Sequence, residues 1–421
     1  MYRQGLGDCF LISLPRTAGQ EPYKIMIDCG VILGTSDAAV KMTKVVDHIA
    51  ADTKGHVDIL VVTHQHWDHV SGFLEADTAF DRLKFDHVWF AWTEDPDNEL
   101  ARRLRQEQSH AISQLRLGAS AMRIAGNSDQ ADDIENLLGF FGVAGSTTED
   151  AMKKAASKGK VRYCDPKDPP LELADPAVKI YVLGPPQDEK ALHKTLASAS
   201  TPETYGLAAY GLAESAADAL GPCDDSAPFG AMNAIPYSSA RALDFFEANY
   251  FGPGNDAPLW RQIETSWLDS STELALALDS YTNNTSLVLA IEFPDGDVLL
   301  FVADAQVGNW LSWQQVSWDV QGRTVKAQDL VSRSIFYKVG HHGSSNATLK
   351  KLGIEAMDRL EFAMVPVDHD MAVKKRWGKL PFDAIVAALQ TKGVTVLRSD
   401  QRPTSVGKDV TITDLYMEIN L

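Results

Sequence analysis

The chain has 421 residues, 45% of them hydrophobic, enough to bury a sizeable core in one large domain or in several ordinary ones. Its formal net charge of -18 excludes broad, sequence-independent adhesion to nucleic acid, which needs a basic footprint; it does not exclude a phosphate-bearing substrate, because a bound metal supplies local positive charge that the total hides. The 4 cysteines form no Cys-x-x-Cys pair, so neither a thiolate zinc site nor a disulfide framework has support, and no apolar run reaches the ~18–20 residues of a membrane span. The first residues open no signal-peptide pattern, and a cytoplasmic location with no membrane partner is expected.

In chain order, residues 5–14 read as a turn and a strand. Residues 24–29 read as its hairpin partner, ending in Asp28-Cys29-Gly30, where Gly30 is expected to adopt a conformation other residues avoid. Residues 36–54 have helical periodicity, with Val40, Met42, Val45, Val46 and Ile49 on the apolar side. The apolar run 57–62 predicts a buried parallel strand, followed by a short helix over 71–80 and a strand over 87–92. Residues 95–160 read as a helical insertion, and 178–183 return to strand before Gly184-Pro185-Pro186 stops it. Residues 199–258, rich in Ala, Ser, Gly and Pro, read as a second insertion. Strands at 286–293 and 298–302 flank the turn Pro294-Asp295-Gly296-Asp297. Strands over 335–339, 362–367, 395–398 and 415–421 and a helix over 382–390 complete the chain.

Three places at predicted strand ends offer metal ligands: His64/His66/Asp68/His69, Asp304, and His341/His342. His64 and His66 are two apart, so in extended backbone they point to one side. Crowded imidazoles and carboxylates repel like charges and lose solvation, a cost that a bound metal explains most simply; incidental histidines in a polar turn are the alternative. Histidine and carboxylate without thiolate suit Zn, Mn or Fe. Adjacent residues rarely face one metal, so His342 reads as a group orienting a ligand or touching substrate. Asp8 and Asp28 read as braces of backbone turns. Ser344 could donate to substrate or cap a following helix, and the Trp310/Trp313 pair reads as core. The basic run Lys374, Lys375, Arg376 and Lys379 reads as a solvated loop or as a phosphate reader.

The motif His-x-His-x-Asp-His after an apolar strand resembles the signature of the metallo-β-lactamase superfamily. Gly5-Leu6-Gly7-Asp8-Cys9, Ile27-Asp28-Cys29-Gly30, Asn283-Asn284-Thr285-Ser286-Leu287-Val288-Leu289, Val302-Ala303-Asp304 and Lys338-Val339-Gly340-His341-His342-Gly343-Ser344 follow in the order of the ComEC/Rec2-like competence subgroup. The resemblance implies a four-layer αβ/βα sandwich and a single domain spanning 1–421 with the two helical insertions; the membrane channel of such proteins is not expected here, because no apolar run is long enough. It implies two divalent ions, zinc first and Mn or Fe as alternatives. His64 and His66 would hold one ion, Asp68, His69 and His341 the second, and Asp304 would bridge them. Asp68 and Asp304 become the catalytic carboxylates, and His342, Ser344 and Lys379 the substrate contacts. The implied activity is hydrolysis of a phosphodiester, in nucleic acid or a small nucleotide, by a metal-activated hydroxide. The alternatives are an acyl-bond hydrolase of the lactonase or β-lactamase type, and a non-catalytic metal-holding interaction subunit. The chain departs from the superfamily at Gly184-Pro185-Pro186, where a further histidine for the first ion is often found, which leaves that ion short of ligands.

Overall fold

The computed structural model describes residues 1–17, 19–124, 128–143, 146–194, 243–246, 249–250, 278–375, 377, 380–403 and 407–421. The chain divides into two compact units. The first comprises Met1–Gln106, Gly139–Ala209 and Asp279–Leu421; the second comprises Glu107–Leu138 and Tyr210–Leu278. The protein is of mixed α/β class. Among the described residues no helix is long and apolar enough to cross a membrane.

The first unit carries two large sheets. Strands β1 (Phe10–Leu14), β2 (Tyr23–Ile27), β3 (His56–Val61), β4 (Lys84–Ala91) and β5 (Lys160–Cys164) lie side by side in that order. The second sheet holds β6 (Leu171–Leu173), β7 (Val178–Gly184), β8 (Val288–Glu292), β9 (Val298–Phe301), β10 (Ser334–Lys338), β11 (Phe362–Val365) and β12 (Thr395–Arg398), also in sequence order. Strands β2 to β5 are parallel, as are β9 to β12. Ligand-bearing loops in such sheets gather at the carboxyl ends of parallel strands, and the residues considered below follow the carboxyl ends of β2, β3, β9 and β10.

The strand period of two decides which face each residue takes. In β2, Ile25 and Ile27 enter the core shared with the second sheet, while Met26 faces the opposite way. In β3, Ile59 and Val61 face inward and Leu60 outward; both faces are covered, which is why the run is apolar throughout. Val182, Leu289, Phe301 and Met364 complete the shared core from the second sheet. Phe10 meets Phe301 edge to face, with ring centroids 5.7 Å apart.

The helix Ala38–Asp52 covers the outer face of the first sheet through Met42, Val45, Val46 and Ile49, a spacing of three, one and three. Val40, expected on that side, is 54% exposed because it falls out of this phase. The segment expected as the first insertion contains structure integral to this unit. Ala151, Met152 and Ala155 of the helix Thr148–Ala156 pack beneath the first sheet. Lys160 begins β5, which extends the sheet beside β4. Within the expected span, only Glu107–Leu138 belongs to the second unit. Most of the expected insertion at 199–258 lies outside the described residues. Trp310 and Trp313 are fully buried, and their indole N–H groups donate to Ala347 O and Asn309 Oδ1, a core role.

Candidate metal centre

Backbone packing shapes the histidine loop before any side chain acts. Asp8 N donates to Asp68 O at 3.0 Å, and Cys29 N to His69 O at 2.9 Å, so two turns from the first hairpin clamp the loop that follows β3. A Cβ on Gly7 would lie 2.5 Å from Asp68 O, and one on Gly30 2.4 Å from the same carbonyl. Gly30 is therefore required for close approach, not for an unusual φ; the left-handed residue of its turn is Asp28, with φ 55°. Ala303, His341 and His342 are also left-handed, at 48°, 44° and 54°. Such backbone is uncommon for side chains larger than glycine, and four of the eight such residues among those described border this one cluster.

The imidazoles are oriented from outside. His69 Nδ1 lies 2.8 Å from the Asp28 carboxylate, and His342 Nδ1 lies 2.6 Å from Pro366 O. Both partners only accept, so each Nδ1 carries a proton and each Nε2 is turned inward. Thr63 Oγ1 donates to Asp28 at 2.7 Å and so can accept from His64 Nδ1 at 3.1 Å. This relay leaves His64 Nε2 facing His66 Nδ1 at 3.1 Å.

Inside this frame the donor atoms converge. His69 Nε2 is 3.2 Å from Asp304 Oδ2 and 3.8 Å from Asp68 Oδ2. His342 Nε2 is 2.8 Å from Asp68 Oδ2 and 3.6 Å from Asp304 Oδ2. Ligand atoms around a tetrahedral zinc stand roughly 3.3 Å apart, given bonds of about 2.0–2.2 Å. His69 Nε2, Asp304 Oδ2, Asp68 Oδ1, Asp8 Oδ1, His66 Nε2 and Asp279 Oδ1 are all buried without a hydrogen-bond partner. Buried polar atoms in native proteins are nearly always paired, so unpaired acceptors gathered at one place fit a cation. Asp8, His69, Asp304 and His342 could hold a metal ion, each offering one ligand atom within 4.8 Å of the others.

The floor of the cluster is Lys338. Its buried ammonium contacts Asp8 Oδ2 at 2.6 Å, Ala303 O at 2.6 Å and Asp304 Oδ1 at 3.1 Å. Burial would lower the Lys338 pKa, but the Asp8 and Asp304 carboxylates outweigh it and raise it. Burial would raise Asp304, yet Lys338, His69 and His342 hold it well below the usual carboxylate range. His342 is raised despite burial by Asp304 and Asp68, and His69 is raised well above its ordinary value despite burial by Asp304, Asp8 and Asp68. Burial pushes His66 down to about 3 and His341 to about 4, so both are neutral near pH 7. Asp279 is raised well above the usual carboxylate range by burial, with Asp68 and Asp304 adding to the shift.

The structure thus brings His64, His66, Asp68, His69 and Asp304 together and sets His342, rather than His341, against Asp68 and Asp304. His342, expected as an orienting or substrate group, joins the donor cluster. The expected ligand His341 instead places Nδ1 near Ser344 Oγ and Gln306 Nε2, at 2.8 and 3.3 Å, and Nε2 3.4 Å from Asn283 Nδ2. Two consecutive left-handed residues turn the chain so that His342 swings beneath Asp68. Ser344, expected to contact substrate, spends its hydroxyl on Asn346 Oδ1 and His341. Lys379 lies outside the described residues, as does Arg376.

Sequence reasoning missed Lys338 and Asp279. Lys338 had a signal: a lone cation at the end of the apolar run Ile335-Phe336-Tyr337. Asp279 belongs to no motif. It also missed the aromatic wall beside His66, whose ring lies 5.1 and 5.2 Å from Phe140 and Phe141; Phe140 in turn stacks on Trp377 at 4.5 Å. Compared with known proteins, the chain matches no family model, no curated protein and no solved structure.

Proposed function

We propose that the protein is a metal-dependent hydrolase of phosphodiesters, built on the four-layer αβ/βα sandwich implied by its resemblance to the metallo-β-lactamase superfamily. Two sheets sharing a core, with helices packed outside the first, agree with that architecture. The observation that carries the activity is the inward convergence of unpaired ligand atoms from His69, Asp68 and Asp304 above the buried ammonium of Lys338. His69, Asp304 and His342 with Asp68 and Asp8 would hold one divalent ion, zinc being the first candidate; a second would take His66 through its unpaired Nε2, and His64 only once its Nε2 gives up the hydrogen bond from His66 Nδ1. When bound, the ions supply Lewis acidity that brings a water toward ionisation near neutral pH and stabilises negative charge on the substrate.

The chain's own residues do the rest. Asp28, Thr63 and Pro366 fix the imidazoles so that the Nε2 atoms of His69 and His342 face inward and would coordinate once deprotonated. Lys338 holds Asp304 in one orientation through Oδ1 and leaves Oδ2 free. Phe140 and Phe141 keep bulk water from one side of His66. In the ion-free chain a proton sits between His342 Nε2 and Asp68 Oδ2, and loading the site releases it.

Phosphodiesters are preferred because the ordered motifs resemble the ComEC/Rec2-like subgroup, which is linked to DNA uptake. The test is metal analysis of the purified chain with turnover of bis-p-nitrophenyl phosphate. Bound ion and turnover that Asp304→Asn abolishes support the reading. Turnover of a lactone panel with none on phosphodiesters replaces it with acyl-bond hydrolysis. No bound ion and no turnover leaves a non-catalytic interaction subunit.

A further inference from the structure

His66 and Asp279 face each other across a gap that neither closes. His66 Nε2 and Asp279 Oδ1 are 3.7 Å apart, beyond hydrogen-bond reach, and both are buried without a partner. The relay through Asp28, Thr63 and His64 accounts for the opposite nitrogen of the ring. Thr63 Oγ1 donates to Asp28 and accepts from His64 Nδ1, and His64 Nε2 then accepts from His66 Nδ1. With its proton on Nδ1, His66 presents a lone pair at Nε2, aimed at a carboxylate oxygen. Two polar atoms opposed in the interior without a hydrogen bond fit a cation between them, in place of the proton that burial otherwise keeps on Asp279.

Asp279 is also held for such a role. Residues 279–284 are helical, and Asn283, one turn on, donates from Nδ2 to Asp279 Oδ2 at 3.2 Å. That bond orients the carboxylate and leaves Oδ1 as the free atom. A separation of 3.7 Å is too long for a hydrogen bond but suits two ligands of one zinc ion with bonds of about 2.0–2.2 Å at a slightly opened angle. The superfamily resemblance anticipates a histidine near Gly184 for the ion served by His64 and His66. That position is closed here: a Cβ on Gly184 would lie 2.1 Å from Asn309 Oδ1.

We propose that Asp279 is a metal ligand, joining His66 through Nε2 and supplying the first ion with the group that Gly184 cannot. The assignment rests on the metal-hydrolase reading above, and it changes the donor set of that ion from all-imidazole to imidazole plus carboxylate, a set open to Mn or Fe as well as Zn.

The direct test is a crystal of the full wild-type chain grown with zinc and measured at the zinc edge. An anomalous peak within about 2.2 Å of an Asp279 carboxylate oxygen is expected. A peak held by His64 and His66 with Asp279 beyond 3 Å overturns the proposal. In solution, zinc stoichiometry by mass spectrometry should fall from two ions per chain in the wild type to one in Asp279→Asn, the Asp304 ion remaining. An Asp279→Asn chain that retains both ions at unchanged affinity overturns it, as does a folded wild type that never takes more than one. A wild type that binds no zinc, manganese or iron removes the metal-hydrolase reading itself, a different outcome from either of these.

Discussion

Lys338 donates to Asp8 across 2.6 Å in the interior, both side chains almost wholly shielded from water. The ammonium joins the first strand-turn of the chain to the end of β10 and lies under the carboxylate of Asp304. Removing one member of a buried pair leaves the other charge uncompensated. Lys338→Met is expected to destabilise the ion-free chain by about 3–5 kcal/mol, read from urea unfolding, because Asp8 and Asp304 lose their cation together. Saturating zinc should recover part of that loss, since an ion bound only to the folded state supplies positive charge in the same place. An unchanged midpoint would show that Asp8 and Asp304 are neutral without it.

Thr63 touches no donor atom of the cluster's interior, yet its hydroxyl links Asp28 to His64. Thr63→Val keeps the shape and deletes the link, which frees the His64 ring to flip. A roughly 10- to 100-fold loss of zinc affinity is expected by competitive chelator titration, the range for partners that orient ligating histidines. Unaltered affinity would mean that the loop backbone alone positions His64.

The ion-free chain should lose stability in acid. In the folded state His66 titrates at about 3 and His341 at about 4, whereas the ordinary imidazole value is 6.5. A folded pKa below the unfolded one gives stability that is present above pH 6.5 and is lost as pH falls through the folded value, because the unfolded chain takes up protons first. Each imidazole contributes a slope of about 1.4 kcal/mol per pH unit between those limits. His66→Ala should reduce the slope by about one proton, measured by denaturation in EDTA between pH 7 and pH 4. His342 runs the other way: its raised pKa gives stability present below pH 6.5 and lost as pH rises through the folded value.

Phe301 packs between Phe10 of the first sheet and Phe336 of the second, with centroids at 5.7 and 5.1 Å. Phe301→Ala is expected to cost about 3–5 kcal/mol in thermal or chemical unfolding. A loss below about 1 kcal/mol would mean that the two sheets do not share one cooperative core.

What the sequence determined alone was local. Alternation and apolar runs placed the strands, glycine punctuated the clamping turns, and the spacing His64, His66, Asp68, His69 marked one loop as the candidate metal-binding loop. That loop is legible because its ligands are neighbours along the chain and its strand repeats every second residue. The tertiary structure alone decided the rest. Asp279 lies 213 residues from His66 in numbering and carries no motif, so only the fold could set them 3.7 Å apart. That His342 and not His341 meets Asp68 depended on two left-handed φ angles, which adjacency in sequence does not encode. Lys338 reads as an oddity in an apolar strand until Asp8 and Asp304 arrive from other loops to balance it. Charges and lone pairs act through space, and their partners were assembled by the packing of two sheets rather than by order along the chain.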